Sequence, residues 1–469
     1  MVFSSMTFLF YFLPVLIAVY CIVPRKLKNI VLIIGNFVFY AWGEMRYIPF
    51  LIYLSVQDYI CGRMMDKYKN DAAKKRVFLA ISIIGNLALL IYFKYTNFFV
   101  ASINQLPGVF WDIPKIMLPI GVSFNSFQSM SYSIDIYRGK NECGRSYIDY
   151  LCFTSLFPQI VAGPIVKFEV VGRELKNHPV TKVGFAEGIK RFLLGLGKKV
   201  LIANNVGFLW SRISAGQAGA QSVALSWIGI LAYTFQIYFD FSGYSDMAVG
   251  LARVFGLTFE ENFDSPYISK SVTEFWRRWH ITLGNWFRDY VYIPLGGNRK
   301  GPLVQFRNIV IVWALTGLWH GAAWNFVLWG LYFAVFLVLE KFVLLKFWEK
   351  VPGFLRHVYT MLIVIVSWVI FYFEDISKIG AYIKGMFGFG GLPFWNGQAL
   401  YYLISYAFIF VAAIYFSGPH FRTKVLSRVE ASKNRLVWAA NSLAYLAVFA
   451  ACVAYLVNST YNPFLYTRF

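Results

Sequence analysis

A chain of 469 residues with 58% hydrophobic and 20% aromatic content, and only 14% charged residues, departs from the composition of soluble domains and needs lipid as its solvent. The formal net charge of +21 does not mark a nucleic-acid binder: the Lys and Arg residues gather in short loops between apolar runs, and no basic soluble surface with stacking aromatics remains. The five cysteines, Cys21, Cys61, Cys143, Cys152 and Cys452, are odd in number, scattered, and lack metal-ligand spacing.

Apolar runs near the ~20-residue length of a spanning helix recur along the whole chain, at 3–23, 29–43, 46–62, 77–98, 116–137, 188–211, 222–241, 308–321, 324–340, 357–373, 400–417 and 436–457. About twelve spans are expected. The first is followed by Arg25, Lys26 and Lys28, so it reads as a retained span with its N-terminus outside rather than a cleaved signal. The basic loops 63–76, 138–145, 253–307, 341–356 and 422–435 can all lie in the cytoplasm at once, which places both termini outside. No transporter-like two-half repeat is evident.

Two stretches resist reading as simple spans. The apolar segment 147–164 is interrupted by Pro158, closed by Gly163-Pro164 and flanked by basic residues, which suggests a re-entrant segment. The segment 244–307 is too long and too aromatic for a connector, and is expected at the cytoplasmic interface. Within it, 274–290 reads as one amphipathic helix with Trp276, His280, Leu283 and Phe287 on one face and Arg277, Gly284 and Arg288 on another. Spacing alone allows either a snorkelling anchor or a platform whose arginines hold the phosphates of an anionic donor. Pro294, Gly296, Gly297 and Asn298 form its turn-rich exit.

His320 lies thirteen residues beyond Arg307 in the next apolar run, roughly 20 Å along a helix that must cross ~30 Å of hydrocarbon. An ionisable group at that depth suggests function; the competing reading is a bundle histidine bonded to Thr316 or Asn325. Burial should leave its imidazole neutral and able to accept a proton. Asp135, Asp240 and Asp246, in or near spans, are either helix ties or proton-relay residues of a transporter. No His-Glu-x-x-His pattern and no Gly-x-Ser-x-Gly elbow occurs, which argues against metal and serine hydrolases.

Several long motifs occur together and in order: Phe39-Tyr-Ala-Trp-Gly43, Pro119-Ile-Gly-Val-Ser-Phe124, Phe157-Pro-Gln-Ile-Val-Ala-Gly-Pro164, Tyr238-Phe-Asp-Phe-Ser-Gly-Tyr-Ser-Asp246, Glu274-Phe-Trp-Arg-Arg-Trp-His280, Arg288 to Arg299, and Leu318-Trp-His-Gly321. With the flanks Met1 to Ser5 and Pro463 to Phe469, they make the whole chain resemble the bacterial polysaccharide-acetylation branch of the membrane-bound O-acyltransferase family. The resemblance implies an all-α polytopic fold of about 11–13 transmembrane helices around a central tunnel, forming a single membrane-embedded domain over 1–469. It places His320 at the family's near-invariant histidine and His280 at the second histidine of this branch.

The expected chemistry follows. His320 would act as general base as a hydroxyl attacks the thioester of acetyl-CoA, with Arg277, Arg278 and Arg288 holding the coenzyme A phosphates beside His280 at the cytoplasmic face; no metal is expected. His280 would be a second proton-transfer group or a hydrogen-bond donor. The product would be an O-acetylated extracytoplasmic polysaccharide, alginate-like or related, made at the bacterial inner membrane. The branch commonly works with a separate extracytoplasmic acetyltransferase of the Ser-Gly-Asn-His hydrolase type, and such a partner or a small acyl-accepting protein is expected to dock on loops near 104–115 or 374–398. The alternatives are a teichoic acid, peptidoglycan or lipid acceptor, and a transporter of acetyl groups or metabolites without transfer chemistry.

Overall fold

The computed structural model describes residues 1–469 apart from 216–220, 390, 459–460, 464 and 466–469. The C-terminal motif 463–469 therefore lies outside the described residues except at Pro463 and Leu465, as does residue 390 of the 374–398 loop. Among the described residues the regular structure is helical, and the one approach to a strand is an isolated antiparallel bridge between Phe263 and Trp279. A segment in lipid must satisfy its own backbone hydrogen bonds, and the helix does so.

Among the described residues, seven helices are long and apolar enough to cross a membrane: Ala72–Ile103, Lys182–Ala215, Val223–Val254, Pro302–His320, Trp324–Lys346, Gly353–Tyr372 and Arg435–Asn458. Gly397–Ser405 and Ala407–Ser417, bent by 58°, supply an eighth if they form one broken span. The chain is thus a multi-pass, all-α membrane protein. Other expected spans differ in form. Lys28–Glu44 has 17 residues, and Phe8–Ile22 is a short apolar helix. The run at 116–137 is helical only from Val122, after Gly121 turns the chain at φ 78°. The run at 222–241 continues as helix to Val254, so the first part of the expected interfacial segment belongs to a 32-residue helix. The segment 147–164 holds two short helices, Tyr147–Ser155 and Phe157–Ile160, broken at Leu156.

The chain gathers into two compact units, 1–192 with 245–260, and 193–244 with 261–469. In the first, Phe3, Phe8, Phe12, Phe39 and Phe157 pack ring to ring. The helix Val122–Tyr137 is buried over nearly its whole length, so its Ser, Asn and Gln residues face protein rather than lipid. Asn125 accordingly donates to the Thr154 carbonyl at 3.0 Å. Asp58, wholly buried, accepts hydrogen bonds from Ser82 at 2.6 Å and Asn86 at 2.9 Å. Asp246 pairs with Arg191 at 2.5 Å.

In the second unit Lys199 and Asp240 form a buried ion pair at 2.6 Å. The Leu465 N–H donates to the other Asp240 oxygen at 2.8 Å, and Lys199 also donates to the Pro463 carbonyl, so the pair fastens the chain end as well as two helices. These contacts favour the helix-tie reading of Asp240 and Asp246. Asp240→Ala should leave an uncompensated buried ammonium and cost about 3–5 kcal/mol. The apolar double variant Lys199→Met/Asp240→Leu should recover most of that stability in a detergent thermal melt and keep activity; a folded but inactive double variant would assign the pair to proton transfer instead.

Candidate active site

The site is built on a hairpin. Pro302 opens the first arm, where its missing N–H costs nothing, and the helix runs 19 residues to His320. It ends there because Gly321 is extended, at φ −164° and ψ 156°, and the second arm, Trp324–Phe342, follows almost at once. Gly317 and Gly330 let the arms touch: a Cβ on Gly317 would run into the Phe326 carbonyl, and one on Gly330 into that of Trp313. His320 is therefore the last residue of its helix, at the turn of the hairpin.

His320 is 3% exposed, and its surroundings are aromatic. Ring centroids of Trp319, Trp329 and Phe371 lie 4.9, 4.9 and 5.5 Å from that of the imidazole, all edge-on. The two side chains expected as bundle partners are engaged elsewhere. Thr316 donates to the Val312 carbonyl at 2.7 Å, and Asn325 donates to the carbonyls of Ile370 and Phe371 at 3.2 and 3.1 Å.

The expected single helix over 274–290 is broken, and the break is at His280. Val272–Arg278 and Ile281–Phe287 are separate helices, with His280 between them in the left-handed region at φ 47°. Helical periodicity continues through the break, so spacing alone did not reveal it. Tertiary bonds hold it open. Residues 262–264 run antiparallel to 278–281: the Asp264 N–H donates to the Arg278 carbonyl and the Ile281 N–H to the Asn262 carbonyl, both at 3.0 Å, on either side of the Phe263–Trp279 bridge. At the far end, Ser271 caps the Glu274 N–H at 2.9 Å while Glu274 reaches back to the Lys270 N–H at 2.9 Å. Buried Glu340, from the hairpin's second arm, accepts from the Val272 and Thr273 N–H groups at 2.6 and 2.9 Å. Trp276 then packs against Trp313, Trp329 and Phe333 of the hairpin.

His280 Nδ1 lies 3.1 Å from Asn262 Oδ1. Its ring packs edge-on to Phe241 at 4.7 Å and to Trp319 at 5.8 Å. The indole of Trp319 thus touches both histidines. Burial alone pushes the His280 imidazole down to about 3, so it is neutral at physiological pH.

The arginines divide. Arg277 is exposed. Arg288 is also exposed and lies 2.9 Å from Asp289. Arg278 bonds both Glu274 and Asp264 at 3.0 Å, and so clasps the two sides of the break. The turn at Gly296 and Gly297, with φ of 106° and 57°, is fastened by the Asn308 amide, which donates to the Leu295 and Gly297 carbonyls. Among the described residues no three His, Cys, Asp or Glu side chains are grouped to hold a metal ion. Asn262, Glu340, Trp329 and Phe371 were not singled out from the sequence. Each is brought to the site from a distant part of the chain, and none belongs to a motif that marks it.

The membrane-bound O-acyltransferase family matches residues 138–381, which contain the hairpin, both histidines and the three arginines. The probable alginate O-acetylase of Azotobacter vinelandii is 36% identical over 100% of both chains. A peptidoglycan O-acetyltransferase of Helicobacter pylori is 30% identical over 100% of this chain and 98% of its own. A teichoic acid D-alanyltransferase of Bacillus subtilis is 28% identical over 49% of this chain and 60% of its own. The chain belongs to the membrane-bound O-acyltransferase family and is an O-acetyltransferase, and the transporter alternative gives way to an enzyme.

Gly317→Ala tests whether hairpin contact positions His320. Its methyl group meets a backbone carbonyl that cannot rotate away, and should cost about 1–3 kcal/mol. Displacing His320 by an ångström should lower the specific activity of the surviving folded protein about a hundredfold. Both can be read on one purified sample, by thermal melt and acetyl-transfer assay.

Proposed function

We propose that the whole chain works as one membrane-embedded O-acetyltransferase of the bacterial inner membrane, with both termini outside, taking acetyl groups from cytoplasmic acetyl-CoA for O-acetylation of an extracytoplasmic, alginate-like polysaccharide. The observation that carries this reading is the buried His320, enclosed by Trp319, Trp329 and Phe371 at the turn of a rigid hairpin. A neutral imidazole is the form a general base requires. His320 takes the proton of an acceptor hydroxyl as the hydroxyl oxygen bonds to the acetyl carbon. The C–S bond of the thioester then breaks, and the departing sulfur receives that proton, giving the acetyl ester and free coenzyme A. The aromatic wall excludes the water that would otherwise hydrolyse the thioester.

On the donor side, Arg277 and Arg288 offer exposed guanidinium groups for the coenzyme A phosphates, and Arg278 supports them by clasping the broken segment. The immediate acceptor is a slim hydroxyl carrier, on a small acyl-accepting protein or a partner of the Ser-Gly-Asn-His hydrolase type, because a packed aromatic site does not admit a bulky polymer. Full-length similarity to the A. vinelandii protein favours alginate as the polymer. The H. pylori relative supports peptidoglycan as the second reading.

His320→Ala should lower acetyl transfer by about 10²–10⁴-fold in protein that still inserts and melts normally; full activity would refute the general base. Arg277→Ala and Arg288→Ala should each raise the acetyl-CoA concentration needed for half-maximal rate about tenfold, the ~1.4 kcal/mol expected of a charge-assisted contact, with little change in kcat. Vesicles holding the purified protein, with acetyl-CoA inside and polysaccharide outside, should acetylate polymer only when a partner is added. Efficient modification without one would overturn the two-step route.

A further inference from the structure

We propose that Asn262 is a positioning residue: it keeps the proton of His280 on Nδ1, so that the imidazole presents a lone pair at Nε2 as a hydrogen-bond acceptor for a substrate N–H or O–H. The inference rests on the reading of His280 as part of the reaction site, and it settles a choice the sequence left open between a donor and a proton-transfer role.

The argument begins with the orientation of one amide. The atom of Asn262 that faces His280 also lies 3.3 Å from the Thr282 backbone N–H and 2.9 Å from the Thr282 hydroxyl. A backbone N–H can only donate, so the facing atom is the amide oxygen; the flipped amide would set donor against donor. That oxygen is also 3.1 Å from His280 Nδ1, and two acceptors cannot share a hydrogen bond, so Nδ1 carries the hydrogen. A neutral imidazole has one such hydrogen, so Nε2 carries none.

Neither Asn262 nor His280 can easily move. Both are about 1% exposed, the Ile281 N–H donates to the Asn262 carbonyl, and His280 is held in a left-handed conformation that a non-glycine residue adopts only under tertiary constraint. Around the ring stand Phe241 from the Val223–Val254 helix, Trp319 from the hairpin, and Asn262, whose amide oxygen also accepts from Thr282. Burial keeps the ring from becoming an imidazolium, which would carry a hydrogen on both nitrogens.

The test uses the full-length protein in detergent or nanodiscs. In ¹⁵N-histidine NMR spectra, with the His280 signals identified by their loss in His280→Gln, wild type should show a protonated Nδ1 and an unprotonated Nε2; the opposite tautomer would overturn the proposal. Asn262→Asp keeps the shape and the acceptor but sets a carboxylate against Nδ1–H, which raises the His280 pKa and protonates Nε2 at acid pH. Its kcat should fall on the acid side and recover as the pH rises, with the acidic limb displaced upward by a unit or more from wild type. A profile that superposes on wild type in folded Asn262→Asp would overturn the proposal, and if that variant does not fold the wild-type spectrum decides. His280→Gln with wild-type kcat would remove His280 from the reaction and end the positioning role of Asn262. That result would leave the test of His320 untouched.

Discussion

The arms of the Pro302–Phe342 hairpin touch because Gly317 and Gly330 have no side chain to hold them apart, and the rest of the site depends on that contact. Close backbone approach between small residues is how membrane helices associate when lipid removes the hydrophobic incentive. Here it has a local consequence. The contact at Gly317 lies about one turn before His320, so the histidine is delivered to a turn of fixed geometry and the rings of Trp329 and Phe371 close on it.

A second constraint acts on the segment between residues 261 and 301, where two short helices need external support. A helix of seven residues is not stable alone in water or at an interface. Val272–Arg278 is held because Glu340 and Ser271 satisfy its first N–H groups, because Trp276 packs on the hairpin, and because Arg278 bonds Glu274 and Asp264. The left-handed residue that follows brings His280 against Trp319, and a continuous helix would not do so. Strain of this kind persists only where the surroundings over-determine it, and it commonly coincides with a working site.

Buried carboxyl groups are handled differently from the two histidines. Asp58, Asp240, Asp246 and Glu340 are all buried, and each has its hydrogen bonds or its cation close by. Such groups add little net stability over an apolar core but penalise any arrangement in which a partner is missing, so they specify how helices meet. The histidines stand among aromatic rings instead.

Much of this was legible in the residues. Apolar length and the placement of Lys and Arg determine a multi-pass membrane protein, because lipid admits few alternatives to the helix. The ordered motifs from Phe39 to Gly321 determine the family, and within it His320 and His280 as the residues to watch. Periodicity over 274–290 predicted one helix, since it records only which faces are apolar and cannot register a single residue turned into the left-handed region. It likewise read 116–137 as a span, although the serine-rich helix that forms there from Val122 is enclosed by protein. Asn262 and Glu340 had no signal at all, because their roles exist only once residues 18 and 68 positions away lie within hydrogen-bonding distance. The sequence by itself determined the solvent, the helical class and the family, because apolar length, charge placement and ordered motifs are properties of the chain alone. Only the tertiary structure decided where the helix breaks, which rings enclose His320 and which amide faces His280, because each depends on contacts between separate parts of the chain.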